Sequence, residues 1–573
     1  MKKVLKCFKL EYLLVLVFFC LCTCYFTYPL VSDFGGSFIA EKQNSDANQY
    51  VWNSYIFKEN LLAGDNPFKT DKLLVPAEAN LFMHTYSPLM GLFSLAFENP
   101  VLANNIFLFL HFLLAALGAY VLAKKILINH LAAFLVAVLF AFSPFRMFHL
   151  PQHYHLILHG FAPWFMIAFL RWWEIRTTKN LLILCWIWLL NLGCDYYITV
   201  FLVYFVGVFL LYKWLMPSYQ NANKRKLFFI LITCLIACHF IIGYLQDHVD
   251  SKAGFYWGGD LANFFIPNQN CWLLSREFFV QYISRMKYLL SSFEHQIYLG
   301  LTTLLLTVIF LFLLIAKRNQ IRFSFWHLLS LIFVMIALPS VNFLGYRLFY
   351  PPTAIAHFIP FFNNIRCPTR ILSLLHFTLP LCCMLVIIPI LVEKWGNRFV
   401  NTFLAVLLLF SFLDLKAKTF NTLGKADMPQ AIKKLAASAE GTLLTIPTGI
   451  TDGMKSVGHF DLNQLYFQTI HRKALIGGYI SRLPESIFAL YESDSVMSRL
   501  LCFSKTGLLP QTTLTESEIS SFHKTFHPDY VFVATAYNEP QFRPMLSKVF
   551  PEPNWSYERI GNGLLLTRHR IQR

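Results

Sequence analysis

The chain has 573 residues, of which 56% are hydrophobic and only 14% are charged, and its mean hydropathy is +0.51. These values exclude an ordinary soluble globular protein and indicate a polytopic membrane protein. The net charge of +17 does not indicate nucleic-acid binding, because the Lys and Arg residues are spread over short segments between apolar runs. In a membrane protein such residues fix the orientation of the spans. We therefore expect membrane lipids, and no nucleic acid, among the partners.

The first apolar run, residues 12–31, follows a basic N-terminus and is longer than the hydrophobic core of a signal peptide. This length favours a retained signal anchor. With the later runs, the sequence predicts about eleven transmembrane helices of roughly ~20 residues each. The later runs are 101–122, 130–147, 154–169, 180–193, 196–215, 227–245, 297–316, 323–341, 371–392 and 399–415.

The positions of Lys and Arg give an independent prediction of orientation. If the N-terminus is cytoplasmic, every predicted inside loop is short and basic, as at Lys124-Lys125 and Lys317-Arg318. The long loops 32–100, 246–295 and 342–369 then lie outside, and an odd number of spans places the C-terminal segment outside as well. This pattern is typical of a bacterial inner (plasma) membrane protein, with an endoplasmic-reticulum membrane as the lesser alternative.

The C-terminal segment, residues 416–573, has a different character. Short β-type runs at 442–447, 530–534 and 563–567 alternate with helix-like stretches at 429–438 and 516–526. This alternation predicts a small α/β extramembrane domain, which in a bacterium would be periplasmic. The predicted organisation is a transmembrane domain over 1–415, with its external loops, followed by this α/β domain.

Asp46 is the candidate catalytic residue. It lies in the first external loop, shortly after the first apolar run, where a carboxylate can meet a lipid-linked substrate at the membrane surface. A positioned carboxylate can act as a general base for an attacking hydroxyl. The structural alternative is an N-cap, because Asp at the start of a helix near Asn48 would satisfy free backbone N–H groups.

Two arginines are the candidate phosphate-binding residues. Arg366 and Arg370 lie four positions apart at the predicted start of a helix, where they would share one face. Arginine binds phosphate through a planar set of donors and keeps its charge near lipid. The alternative is ordinary snorkelling at the membrane interface. Asp195, in a turn between two spans, is a candidate supporting acid or metal ligand, with a helix cap as its alternative.

A further group of external polar residues is predicted to bind substrate. It consists of His84, Arg146, His153 and His155. The histidines do not match a defined zinc motif, so hydrogen bonding to substrate or anchoring at the interface is favoured over zinc.

These features resemble the GT-C superfamily of polytopic glycosyltransferases, and more narrowly the YfhO-type bacterial membrane proteins. The resemblance is carried by the signal anchor, the early external Asp, the long external loops and the external C-terminal domain. Its short motifs are NSDANQYVW at 44–52, DLANFFIP at 260–267, YLG at 298–300 and IPFFNNIRCPTR at 359–370. The resemblance implies a GT-C-like fold over nearly the whole chain.

The resemblance also implies an activity. It implies transfer of a sugar from a polyprenyl-phosphate-linked donor to a glycan or lipid acceptor of the cell envelope, on the outer face of the membrane. The early external Asp of that family is the catalytic base, a role carried over to Asp46. Members often have a second acid nearby, where this chain has Asn44, so dependence on a divalent metal ion (Mg or Mn) is left open.

Two other classes of protein compete with the glycosyltransferase. A transporter or flippase for a lipid-linked sugar would place ionisable residues near the middle of its spans. Here the spans are mostly Leu, Phe, Val and Ile, and the polar clusters lie at the outer ends, which favours an enzyme. A non-catalytic membrane scaffold would not require Asp46, Asp195, Arg366 or Arg370.

Overall fold

A computed structural model describes residues 2–569, apart from residues 44, 83, 222–239, 243–254, 256, 279–292, 360–361, 363–364, 511–512, 538–539, 541 and 562. Almost all of the predicted span 227–245 lies outside the described residues. Much of the predicted loop 246–295 does too.

The described residues form helices and short strands. The α-helices are, in chain order, α1 (Lys2–Phe26), α2 (Ala47–Ala63), α3 (Pro88–Ser94), α4 (Pro100–Leu127), α5 (His130–Ala141), α6 (Pro144–His149), α7 (Ala162–Glu174), α8 (Thr178–Cys194), α9 (Tyr196–Asn221), α10 (Leu301–Ala316), α11 (Phe325–Ala337), α12 (Leu372–Asp414), α13 (Gln430–Leu435), α14 (Asn463–His471), α15 (Glu485–Ser493), α16 (Ser495–Thr506), α17 (Glu516–Phe526) and α18 (Arg543–Val549). The strands are β1 (Ser37–Ile39), β2 (Lys69–Thr70), β3 (Ala79–Asn80), β4 (Val341–Phe343), β5 (Tyr346–Phe349), β6 (Thr422–Gly424), β7 (Thr442–Ile446), β8 (Gly449–Thr451), β9 (Ser456–Gly458), β10 (Ala474–Ile476), β11 (Gly478–Tyr479), β12 (Tyr530–Ala534), β13 (Trp555–Ile560) and β14 (Gly563–Arg568).

Several of these helices are apolar enough to lie in a membrane. Within the described residues, four are also long enough to cross one: Pro100–Leu127, His130–His149, Tyr196–Leu215 and Pro368–Asp414. Four apolar helices are shorter: Leu10–Phe26, Thr178–Cys194, Leu301–Ala316 and Phe325–Ala337. The chain is therefore a mostly helical, multi-pass membrane protein, whereas the number of eleven spans stays a prediction.

The chain divides into two compact units. We call the first, made of Met1–Val31, Leu108–Leu150 and Leu156–Thr419, the helical unit. The second, made of Ser32–Phe107, Pro151–His155 and Phe420–Arg573, contains most of the strands, and we call it the mixed unit. The loop 32–100, which the sequence predicts to be external, thus groups with the C-terminal segment rather than with the apolar helices.

In the helical unit, α12 packs against α5, α10 and α11. Its two predicted spans, 371–392 and 399–415, are joined through a kink at Gly396, whose φ of 79° suits a residue without a Cβ. The predicted span 297–316 begins only at Leu301. There the Asp414 carboxylate accepts hydrogen bonds from the backbone N–H groups of Leu301 and Thr302 at 2.9 and 2.7 Å, and so caps α10.

One predicted span does not form a continuous helix. Residues Tyr154–Ile157 of the predicted span 154–169 form a 3-10 turn, and α7 begins only at Ala162. Pro163 in the first turn of α7 explains the break, because proline lacks the N–H that would continue a preceding helix. The segment before the break, Pro151–His155, belongs to the mixed unit.

The mixed unit is organised around a five-stranded sheet of order β10-β7-β12-β14-β13. Strands β10, β7 and β12 are parallel, and β14 runs antiparallel between β12 and β13. The predicted strands at 442–447, 530–534 and 563–567 and the helix at 516–526 are confirmed. β12 is almost fully buried, which explains its continuous apolar sequence.

The predicted external loop 32–100 is part of this unit. Strand β1 pairs antiparallel with β6, and Leu73 forms a parallel bridge with Leu475 at the edge strand β10. Helix α2 packs against α14, where Gln468 accepts a hydrogen bond from the Trp52 indole and donates one to the Lys72 carbonyl at 2.6 Å. These contacts hold α2, and the residues that precede it, in a fixed position within the unit.

Candidate active site

Asp46 stands at the start of α2, but its side chain does not cap the helix. Its φ and ψ of −60° and −18° are helical, and its carboxylate makes no cap hydrogen bond. Neighbouring Ser45 provides the local bond instead, because its hydroxyl accepts from the Ala47 N–H at 3.2 Å and donates to the Pro151 carbonyl at 2.7 Å. The N-cap alternative therefore does not account for the carboxylate of Asp46.

The carboxylate of Asp46 faces a histidine instead. The Nε2 atom of His153 lies 3.3 Å from Oδ2 of Asp46, and the two side chains are 17% and 27% exposed. The backbone N–H of Asp46 donates to Oε1 of Gln152 at 3.2 Å, which holds the two segments together. The pair is thus half-buried, fixed at the backbone and open to solvent, as a proton-accepting group requires.

The third histidine of the predicted group supports this arrangement. Nδ1 of His155 is hydrogen-bonded to the hydroxyl of Tyr50 on α2, and its ring lies 5.8 Å from that of His153. Tyr154, between the two histidines, stacks on Tyr50 with ring centroids 5.4 Å apart. The structure therefore brings Asp46, His153 and His155 together on one side of α2.

His84 belongs to the same unit and is almost completely buried, at 2% exposure. Its Nδ1 accepts a hydrogen bond from the backbone N–H of Ser481 at 3.0 Å, so the ring proton resides on Nε2. Burial lowers the pKa of His84 to about 3, although the negative charge of Asp46 acts in the opposite direction. His84 is therefore a neutral donor within the electrostatic reach of Asp46.

The pKa of His84 predicts how stability depends on pH. The pKa of a histidine in an unfolded chain is near ~6.5, so below that pH the unfolded chain binds a proton that folded His84 does not. This contribution to stability is complete above pH ~6.5 and is lost as the pH falls towards ~3, by up to ~1.4 kcal/mol per pH unit. The side chain of His84→Asn can still accept the hydrogen bond from Ser481. We expect its unfolding temperature to fall less than that of wild type when the pH is lowered from ~6.5 to ~4.5. An equal fall in both proteins would contradict this.

The remaining predicted site residues belong to the helical unit. Arg370 forms an ion pair with Glu294, with Nη2 and Oε1 2.6 Å apart, and the two side chains are only 12% and 9% exposed. The guanidinium also lies over the ring of Tyr197, 4.9 Å from its centroid. This pairing neutralises the charge that was predicted to bind phosphate and favours a structural role for Arg370.

Arg366 does not share a helical face with Arg370. The chain has no helical hydrogen bonding at Arg366, and a short 3-10 helix, Pro368–Ile371, begins only two residues later. The predicted four-residue helical spacing is therefore wrong, because Pro368 starts a new helix rather than continuing one. Arg366 is partly exposed and makes no salt bridge among the described residues.

The side chains of Asp195 and Arg146 both form hydrogen bonds with backbone groups. Oδ1 of Asp195 accepts from the N–H of Ile198 at 2.8 Å, which makes Asp195 the cap of α9. Arg146 is fully buried, donates to the carbonyls of Ala141 and Ile157 at 2.8 and 2.6 Å, and lies over the ring of Phe112. Both arrangements favour structural roles, and the predicted roles in metal or substrate binding stay predictions.

Within the described part of the chain, no three His, Cys, Asp or Glu side chains are grouped so that they could hold a metal ion. The predicted dependence on Mg or Mn thus receives no ligand set from these residues, and it stays a prediction.

Sequence reasoning missed three partners of the predicted residues: Gln152, Tyr50 and Glu294. Gln152 and Tyr50 stand within segments that the sequence did single out, beside His153 and Asp46. Glu294 is one of the few acids in the long loop 246–295, which was a usable signal for a partner of an external arginine.

A sequence profile for a domain of unknown function (DUF6311) matches residues 13–416. The chain belongs to the DUF6311 family. The matched region takes in every predicted site residue of this DUF6311 chain. No curated protein matches its sequence.

Solved structures show what the DUF6311 chain resembles in fold. Arabinofuranosyltransferase AftD from Mycobacteria aligns over 97% of this chain at 12% identity, with a TM-score of 0.51. At 12% identity this likeness shows a shared fold alone, and that fold is of the predicted GT-C-like class. The alignment spans only 41% of the length of AftD. The narrower likeness to YfhO-type proteins stays a prediction.

Two other glycosyltransferases align with lower scores. The oligosaccharyltransferase of Archaeoglobus fulgidus covers 93% of this chain and 69% of its own, at 11% identity and a TM-score of 0.45. ArnT from Cupriavidus metallidurans, solved with undecaprenyl phosphate, covers 98% of both chains at 8% identity, also with a TM-score of 0.45. The fold assignment rests on AftD.

Proposed function

We propose that this DUF6311 protein is a membrane glycosyltransferase that moves a sugar from a polyprenyl-phosphate-linked donor to an acceptor of the cell envelope. One observation carries the proposal: the carboxylate of Asp46 caps no helix and instead faces His153 at 3.3 Å, with 27% of its side chain exposed and its backbone N–H bonded to Gln152. The fold likeness to AftD supports the reaction class.

In the proposed reaction, Asp46 accepts the proton of an acceptor hydroxyl. The hydroxyl oxygen attacks the anomeric carbon of the donor sugar as the bond from that carbon to the phosphate oxygen breaks. The electron pair of that bond leaves with the polyprenyl phosphate. Attack opposite the leaving group inverts the anomeric configuration, and the base contributes roughly 10²–10⁴-fold to the rate.

His153 acts as a positioning residue in this scheme. Its Nε2 atom, 3.3 Å from Oδ2 of Asp46, would hold the carboxylate in one orientation. We expect His153→Ala to reduce transfer by about tenfold, less than loss of the base itself, because one oriented hydrogen bond is lost. His153→Gln should recover part of that loss. A His153→Ala rate equal to the wild-type rate would remove His153 from the mechanism.

The donor phosphate needs a cation that is not already neutralised. We assign this role to Arg366, which is partly exposed and has no salt-bridge partner among the described residues. Arg370 is the weaker candidate because Glu294 already pairs with it. An inner-membrane location and a periplasmic site are part of the proposal, whereas dependence on a divalent metal ion (Mg or Mn) is left open.

The proposal is tested in isolated membranes of the producing cell. The measurement is the initial rate at which labelled sugar passes from the lipid-linked pool into the acceptor glycan, normalised to the amount of protein. Membranes from a deletion strain should lack this transfer, and the full-length gene should restore it. Equal rates with and without the protein would overturn the proposed function.

A further inference from the structure

Among the described residues of the mixed unit, several buried polar atoms have no hydrogen-bond partner, and three of them lie on or against the face of α2 that begins at Asp46. They are Oε1 of Gln49, Oδ1 of Asn53 and Nε2 of His84, on side chains that are 1%, 4% and 2% exposed. Leaving a buried polar atom unpaired destabilises the fold, so each one calls for an explanation.

The three atoms belong to one strip of the unit. Asp46, Gln49 and Asn53 follow one another on α2 at intervals of three and four residues, so they share one face of the helix. Nδ2 of Asn53 donates to the carbonyl of Thr85 at 2.8 Å, which places the segment carrying His84 against the same helix. His84 also feels the charge of Asp46. We call Asp46, Gln49, Asn53 and His84 the α2 strip.

The α2 strip offers two hydrogen-bond acceptors and one hydrogen-bond donor. Gln49 and Asn53 present acceptor oxygens, whereas His84 presents a donor, because its Nδ1 is already taken by Ser481. A hydroxyl group can donate and accept at once, so a group that carries several hydroxyls fits all three positions. A phosphate has only acceptor oxygens when ionised and would leave both amide oxygens unpaired.

We propose that the α2 strip is a subsite for the hydroxyl groups of the acceptor sugar, next to the hydroxyl that Asp46 deprotonates. This inference rests on the proposed function and names the substrate group that the same site holds. Asp46 is the most exposed member of the strip, at 27%. Because Gln49, Asn53 and His84 are at most 4% exposed, the sugar can enter only if side chains around the strip move.

The sharpest variant is Gln49→Met, which has a similar shape and removes a buried amide whose Oε1 atom has no hydrogen-bond partner among the described residues. Substituting an unpaired polar group by an apolar one of the same shape leaves stability equal or higher. We therefore expect an unchanged or raised unfolding temperature together with an initial rate of transfer about tenfold below wild type, as for one lost hydrogen bond. Loss of activity without loss of stability is not expected from a structural residue.

The matched control is Thr448→Val in the same unit. The Thr448 hydroxyl is also buried and has no partner in the described part of the chain, but Thr448 follows β7 and does not belong to α2. This variant should retain the wild-type rate. If Gln49→Met fails to accumulate, His84→Asn keeps the acceptor for Ser481, removes the Nε2 donor and should show the same loss of rate.

Two results separate the possible failures. Wild-type transfer by both Gln49→Met and His84→Asn would overturn the subsite and assign the strip to buried water. Absence of any difference between wild-type and deletion membranes would overturn the proposed function, and the subsite with it.

Discussion

Asp46→Asn is expected to reduce sugar transfer by about 10²–10⁴-fold while the protein remains folded and inserted. Asparagine has nearly the same shape as aspartate but cannot accept a proton. The side chain makes no cap hydrogen bond, so the start of α2 does not depend on the carboxylate. The backbone bond from residue 46 to Gln152 is unaffected by the substitution. The measurement is the initial rate in membranes, with protein abundance and unfolding temperature determined in parallel.

The matched control is Asp65→Asn, which removes an exposed carboxylate from the same external loop. It should leave the rate unchanged, since a solvated surface charge contributes little to stability or chemistry. Wild-type transfer by Asp46→Asn would show that Asp46 is not the base. A lower unfolding temperature together with a lower rate of transfer would instead indicate a structural role for Asp46, which the geometry of α2 does not suggest.

The second large effect concerns the buried ion pair of the helical unit. Arg370→Met leaves the carboxylate of Glu294 buried without its guanidinium, which costs about 3–5 kcal/mol. We expect this variant to accumulate poorly in the membrane and to unfold at a lower temperature. The ring of Tyr197 beneath the guanidinium would lose its cation contact as well.

The double variant Arg370→Met/Glu294→Leu separates stability from phosphate binding. Replacing both buried charges by apolar groups is often neutral or stabilising, so abundance and unfolding temperature should return. We expect transfer to return with them, because the pair has a structural role. A stable double variant without transfer would indicate that Arg370 binds the donor phosphate. An unstable double variant would show that apolar side chains cannot replace the ion pair in the fold.

The site was only partly predictable from sequence. Asp46, His84, His153 and His155 were all singled out by residue type and position outside the spans, and the structure places them in one unit. What sequence could not supply is the partner of each group. Asp46 and Gln152 are 106 positions apart, and nothing in local periodicity indicates that they meet. Glu294 lies 76 positions from Arg370, and only its charge marked it as a candidate partner.

In the fold, too, the sequence predicted individual helices and strands but not the contacts between distant segments. Long apolar runs predicted helices because burial in lipid depends on composition and length, and short apolar strands were recognisable in the C-terminal segment. Pro163 could have indicated the break in the sequence, but the prediction followed the continuous apolar run 154–169 that contains it. The pairing of β1 with β6 and of Leu73 with Leu475 depends on segments hundreds of residues apart. No local pattern predicts such pairing.

The most direct test of the account compares the lipid-linked sugars and envelope glycans of wild-type and deletion strains. If the protein is the proposed glycosyltransferase, we expect deletion to remove one sugar from the glycan. The polyprenyl-phosphate donor of that sugar should then accumulate, exposed on the outer face of the membrane. A transporter would leave that donor confined to the inner face. Accumulation on the inner face, or an unchanged glycan, would contradict the assignment of this chain as a glycosyltransferase.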